Sequence, residues 1–252
     1  MDSYRRTAIA TGVLFIVATA TSLLATAVLQ PLVSGPAYLS AMAGSPTRVA
    51  VGSLLELVAA GTCAGIAISL YPVLRRWDSG LALGSVVFRA IEAVMYTLAT
   101  LCLLSLLTVA QSASATTGVD RPGFQAIGDS LIALREVAVN AGVAAFVIGA
   151  LMYYAIMFRS GLVPRWLTGW GIVAELIMIV ASLAALFSHV AVASYALLAL
   201  PIAVQEMVLA VWLIARGFSA GVIRVGGGTL EGAGPGGPSS AGGRAAAGLE
   251  AG

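Results

Sequence analysis

The chain has 252 residues, of which 60% are hydrophobic and only 10% charged, with a mean hydropathy of +0.99. An average soluble domain is about 45–50% apolar and about 25% charged, so this chain has too few charged side chains to clothe a water-soluble surface of its size. Its net charge is +2 and all 13 basic residues are Arg; they are not clustered on one face with aromatics between them, which excludes the footprint of a nucleic-acid binder. The partner that composition demands is a lipid bilayer.

Six apolar stretches follow in chain order, at Thr7–Leu29, Val49–Leu74, Leu81–Val109, Leu131–Phe158, Trp166–Phe187 and Ala193–Ala215. Each is long enough to cross about 30 Å of hydrocarbon at 1.5 Å per residue. Helix is the state they must adopt, because a spanning segment has to satisfy its own backbone hydrogen bonds and the alternating pattern of a barrel strand is absent. The first stretch follows Arg5 and Arg6 and contains Ala25-Thr26-Ala27, which resembles a cleavage site. Its apolar run exceeds the 7–15 residues or so of a signal peptide, so it reads as a true span.

The arginines orient these spans. With the N-terminus inside, the cytoplasmic pieces hold Arg5, Arg6, Arg75, Arg76, Arg159, Arg165, Arg216, Arg224 and Arg244, whereas the opposite loops hold Arg48 and Arg121. The positive-inside rule then places both ends in the cytoplasm. Trp77, Trp166, Trp170 and Trp212 fall toward the same side, where amphipathic rings favour the headgroup zone. Ala110–Ser130 reads as the longest outer connection, with a turn at Asp120-Arg121-Pro122-Gly123. The expected architecture is all-α: a polytopic transmembrane bundle over residues 1–218, N-in and C-in, followed by a Gly/Pro/Ala-rich disordered cytoplasmic tail over 219–252. Glu56, Ser79-Gly80-Leu81 and Glu92 are echoed by Glu136, Ser160-Gly161-Leu162 and Glu175, a weak internal repeat that chance similarity between apolar hairpins also explains.

Ionisable groups inside the spans carry the most information, since each costs about 2.5–3.5 kcal/mol near a helix centre and should face the bundle interior. They are Glu56, Arg89, Glu92, Glu175 and Glu206. Arg89 and Glu92 are three residues apart and share a helix face. For the remaining carboxylates, either Arg89 serves several at once as a fork-shaped donor, or some carry a proton. The first reading is a polar clamp that fixes helix contacts, aided by Gly61, Gly65, Gly142 and Gly149. The alternative is a small transporter or proton-coupled carrier that uses the carboxylates, with an unidentified solute or membrane-protein partner.

Catalytic and metal signatures are missing. His189 is the only histidine, so no imidazole cluster can hold zinc. Gly128-Asp129-Ser130-Leu131 spells an esterase nucleophile block but lacks a His paired with an upstream Asp, and Asp129 and Ser130 read instead as caps of the helix that follows. Cys63 and Cys102 lie in apolar runs and read as packing residues. The expectation is a non-enzymatic protein without cofactor.

The run Arg159-Ser160-Gly161-Leu162-Val163-Pro164-Arg165-Trp166-Leu167 with Trp170-Gly171, and Pro201 with Glu206, Trp212-Leu213 and Gly217-Phe218, resemble the bacterial "domain of unknown function 4386" family of multi-spanning membrane proteins. The resemblance covers about Arg5 to Phe218. It implies the topology and assigns no activity or catalytic residues.

Overall fold

A computed structural model describes residues 3–116, 121–188 and 196–219. The tail and His189 lie outside the described residues. Seven helices are present among those described: α1 (Ser3–Val33), α2 (Tyr38–Ala43), α3 (Pro46–Leu74), α4 (Ser79–Ala115), α5 (Arg121–Ser160), α6 (Arg165–Ser188) and α7 (Ala196–Ala215). All but α2 are long and apolar enough to cross a membrane.

The six long helices pack in a closed ring, α1 against α3, then α4, α5, α6, α7 and back to α1. Their outward faces carry Leu54, Val94, Leu101, Val180 and Val211, each more than half exposed. Such a continuous apolar exterior would be an aggregation hazard in water and is the expected surface in lipid.

Short turns gather at one end of the ring. Asp78 caps α4 by accepting from the Leu81 N–H at 2.9 Å. Gly161 ends α5 with a positive φ of 70°, the left-handed geometry that glycine adopts without a Cβ clash, and its N–H donates to the Met157 carbonyl at 3.0 Å. The Pro164 carbonyl then accepts from the Leu167 N–H at 3.0 Å to begin α6. Arg5 donates to the Leu213 and Ile214 carbonyls at 3.2 and 2.5 Å, placing a cation on the unsatisfied C-terminus of α7. The Ser219 N–H reaches the Leu162 carbonyl at 2.9 Å, and the Arg76 guanidinium stands 5.2 Å from the Tyr4 ring centroid. The first turn of α1, the last of α7 and both short turns therefore share this end.

At the opposite end the fold departs from the sequence expectation. The stretch 110–130 is largely helical: α4 runs on to Ala115 and α5 begins at Arg121, so Arg121, Pro122 and Gly123 form a first helical turn; Asp120 lies outside the described residues. Proline in a first turn forfeits no needed donor. The Ser114 and Thr116 hydroxyls bond their own helix carbonyls at 2.8 and 2.9 Å, so polar composition did not stop α4. Asp129 and Ser130 accordingly sit inside α5 and cap nothing. Ser130 bonds the Ala126 carbonyl, while Asp129 accepts from the Tyr38 hydroxyl at 2.7 Å and from Gln125 Nε2 at 2.9 Å. Burial first, and then the hydrogen bond to Asp129, hold the Tyr38 phenol above its usual range, so it stays an uncharged donor. This bond docks α2, a helix too short for hydropathy to reveal.

The apolar core has two parts. One, with Phe15, Leu70, Tyr153, Met157 and Leu213, fills the end with the short turns; the other, with Leu29, Tyr38, Met42, Val49 and Leu103, fills the far end. On α3 and α4, the level between them carries Glu56, Arg89, Glu92, Tyr96 and Thr100. Because Arg5 fastens α1 to the end of α7, tags placed before residue 1 and after residue 252 are expected to be reached by an impermeant label from the same face of a sealed vesicle. Labelling of one tag from each face would contradict the ring.

Candidate polar centre and far-end cavity

Four of the five ionisable residues singled out above, Arg89, Glu92, Glu175 and Glu206, come together. At 1.5 Å per residue, Glu92, Glu175 and Glu206 each lie about 14–20 Å along their helices from the end with the short turns, about half the thickness of a bilayer core. Arg89 on α4 is 1% exposed, and its Nη1 stands 2.9 Å from Glu92 Oε2, one turn away. The contact is an ion pair without hydrogen-bond alignment, as expected where both side chains leave one helix three residues apart. Arg89 also donates Nε–H to the Cys63 carbonyl at 3.3 Å and lies 4.9 Å from the Phe146 ring centroid.

Glu175 on α6 and Glu206 on α7 stand within the electrostatic reach of Arg89, of Glu92 and, for Glu175, of Glu206. Glu175 is fully buried, and neither of its oxygens has a hydrogen-bond partner among the described residues. Glu206 Oε1 and the buried Tyr153 hydroxyl are in the same position. Buried polar atoms are almost always satisfied in native proteins, so this concentration of unsatisfied oxygens is unusual. Among the described residues, no three His, Cys, Asp or Glu side chains are close enough to form a metal cage.

Glu56 does not join this centre, which corrects the expectation of a five-residue cluster. It pairs with Arg135 of α5, 79 residues away: Nη1 donates to Oε2 at 3.1 Å and Nη2 donates to Oε1. Thr100 donates to the same Oε2 at 2.8 Å, and Arg135 Nη1 also donates to the Ala99 carbonyl at 2.9 Å. The sequence offers the carboxylates one obvious cation, Arg89, and Arg135 does not stand out in it. A long guanidinium stem reaching inward is invisible when only the position of its Cα is known.

Neighbouring polar contacts are saturated. Tyr154 donates to Gln205 Oε1 at 2.6 Å and Gln205 Nε2 donates to the Leu167 carbonyl at 3.0 Å, which ties α5, α7 and α6 together. A Cβ on Gly171 would stand 2.7 Å from Tyr154 Cζ, so glycine is what lets the ring in. Ser182 donates to Asn140 Oδ1 at 2.7 Å between α6 and α5. Of the four glycines expected at helix contacts, Gly142 and Gly149 make them, against Tyr96 and against Phe88 with Arg89; Gly65 has ordinary contact with Leu14, and Gly61 faces open space. The two turns of the weak repeat differ, with Gly161 left-handed at a helix end and Gly80 within the first turn of α4. Cys63 and Cys102 are both free.

Toward the far end, a cavity of about 600 Å³ opens among α1, α3, α4 and α5. Glu56, Tyr96, Arg135 and Glu136 line it, and exposed Gln30 and Ser34 stand at its rim. Tyr96 follows Glu92 by four residues on α4, so it lies between the cavity and the buried centre and within the electrostatic reach of Glu92 and Glu175.

Ring and centre together define a polytopic helical membrane protein with ionisable groups held inside the bundle. Residues 10–217 match the family described as "Domain of unknown function (DUF4386)", and the chain belongs to that family. No curated protein and no solved structure matches it.

The Glu56–Arg135 pair makes a direct prediction. Arg135→Ala should cost about 1–3 kcal/mol of stability by stranding a partly buried carboxylate. In a double-mutant cycle in detergent, adding Glu56→Gln should recover part of that loss; strict additivity would show that the pair does not interact.

Proposed function

We propose that the protein is a small proton-coupled carrier of the cell membrane, non-enzymatic, with both termini in the cytoplasm, in which Glu175, Glu206 and Glu92 around Arg89 form the coupling site. The observation that carries this reading is Glu175, wholly buried with two unsatisfied oxygens and within the electrostatic reach of two more carboxylates and one guanidinium. A purely structural polar contact gains its stability by satisfying every member, because a half-satisfied buried network costs more than an apolar one. Carboxylates left open in a membrane interior are the usual mark of proton or ion relays. The lack of a metal cage among the described residues favours the proton as the compensating charge.

Cytoplasmic termini are supported by the gathering of Arg5, Arg75, Arg76, Arg165 and Arg216 at the end with the short turns.

The clamp reading fits a different pair. Glu56 has both oxygens engaged by Arg135 and one also by Thr100, so the clamp belongs to Glu56–Arg135 and the open carboxylates to the coupling site.

Glu175→Gln tests the carrier. In proteoliposomes carrying an internal pH dye, it should slow proton movement about a hundredfold or more, the usual range for loss of a positioned proton-transfer group, with thermal stability kept or raised. Unchanged proton movement, or stability lost without any flux to lose, would overturn the reading.

A further inference from the structure

The far-end cavity has the size and charge of a ligand site. Its volume of about 600 Å³ falls within the roughly 300–1,000 Å³ of ordinary small-molecule pockets. Most of its wall is apolar, from residues such as Ala25, Leu29 and Val139. Three ionisable groups line it, and two of them cancel: Glu56 and Arg135 neutralise one another through the paired hydrogen bonds described above. The Glu136 carboxylate remains, exposed and without an ion pair or hydrogen bond among the described residues. At the inner limit stands the Tyr96 ring, partly exposed, one helical turn from Glu92. Rings hold cations through their electron-rich faces, and a free carboxylate at the wall supplies the counter-charge. A cation would complement Glu136, whereas an anion would be repelled by it.

We propose that this cavity is the entry site for a monovalent organic cation with an apolar body, held by Glu136 and Tyr96 above the buried carboxylates. The proposal rests on the carrier reading for what happens after entry but not for binding itself. Tyr96 then occupies the one-turn gap between the bound cation and Glu92, so a cation seated in the cavity and a proton on the central carboxylates sense one another's charge across that ring.

Two probes of the same shape and opposite charge separate charge recognition from simple greasiness: tetraphenylphosphonium and tetraphenylborate. Titrated calorimetrically into the full chain in detergent, the phosphonium should bind saturably at one site and the borate should not. Glu136→Gln should weaken the phosphonium about tenfold, as should Tyr96→Ala, while Tyr96→Phe keeps most of the affinity. Glu175→Gln should leave binding in place. Equal binding of both ions would identify a general apolar or lipid-filled space and overturn the proposal. So would phosphonium binding indifferent to both Glu136→Gln and Tyr96→Ala; Glu136 is exposed, so its substitution does not threaten the fold. If the phosphonium binds as expected but Glu175→Gln leaves proton movement untouched, the cavity stands and the carrier falls. If proton movement depends on Glu175 while binding ignores Glu136 and Tyr96, the carrier stands and the cavity assignment falls.

Discussion

One guanidinium faces three carboxylates at the middle of a ring of apolar helices, and that imbalance of charge organises the molecule. In water at about 0.1 M salt such an excess would be screened within about 10 Å. Inside a bundle wrapped by lipid the effective dielectric is far lower, and uncompensated charge is correspondingly costly. Arg89 is shared: its Nη1 pairs with Glu92 without hydrogen-bond alignment, its Nε–H donates to the Cys63 carbonyl, its guanidinium lies near the Phe146 ring, and Glu175 and Glu206 are within its electrostatic reach. One positive charge is nevertheless too few for three carboxylates, and in the proposed reading a proton supplies the rest.

The rest of the fold holds that centre in place without neutralising it. Tyr154, Gln205 and the Leu167 carbonyl lock α5, α6 and α7 beside it through fully satisfied hydrogen bonds. Asn140 and Ser182 do the same between α5 and α6, and Arg135 with Glu56 joins α5 to α3. A bundle able to satisfy these groups has the means to satisfy Glu175 as well. The contrast within one molecule gives the open carboxylate its meaning, because a general looseness of packing would have left all of these groups unpaired.

The sequence revealed most where the physics is local. Six spans follow from hydropathy because hydrocarbon imposes a minimum apolar length. The Arg89–Glu92 pair follows from a spacing of three on one helix, and the α5–α6 turn from Gly161 and Pro164. What stayed hidden depends on how one helix is rotated against another. Nothing in the chain says that Arg135 will reach Glu56 across 79 residues, that Tyr154 will meet Gln205, or that Tyr96 will stand between a cavity and Glu92. The extension of α4 through Ser112 and Ser114 was missed for a related reason. Hydropathy marks where lipid ends, and a helix that satisfies its own backbone continues past that boundary.

The central claim is a count of charge: Glu92 and Glu175 are buried, Glu206 is partly buried with one buried oxygen, one guanidinium serves all three, and the proposed reading supplies the missing positive charge as a proton. Infrared difference spectroscopy of the protein in lipid reads this directly, through the carbonyl stretch that only a protonated carboxyl group shows. The account predicts such a band in the wild type near neutral pH, reduced in Glu175→Gln or Glu206→Gln and unaffected by Glu56→Gln. If the band is absent, with all three groups ionised and no bound cation, then the centre is balanced by some other means and the coupling mechanism is wrong.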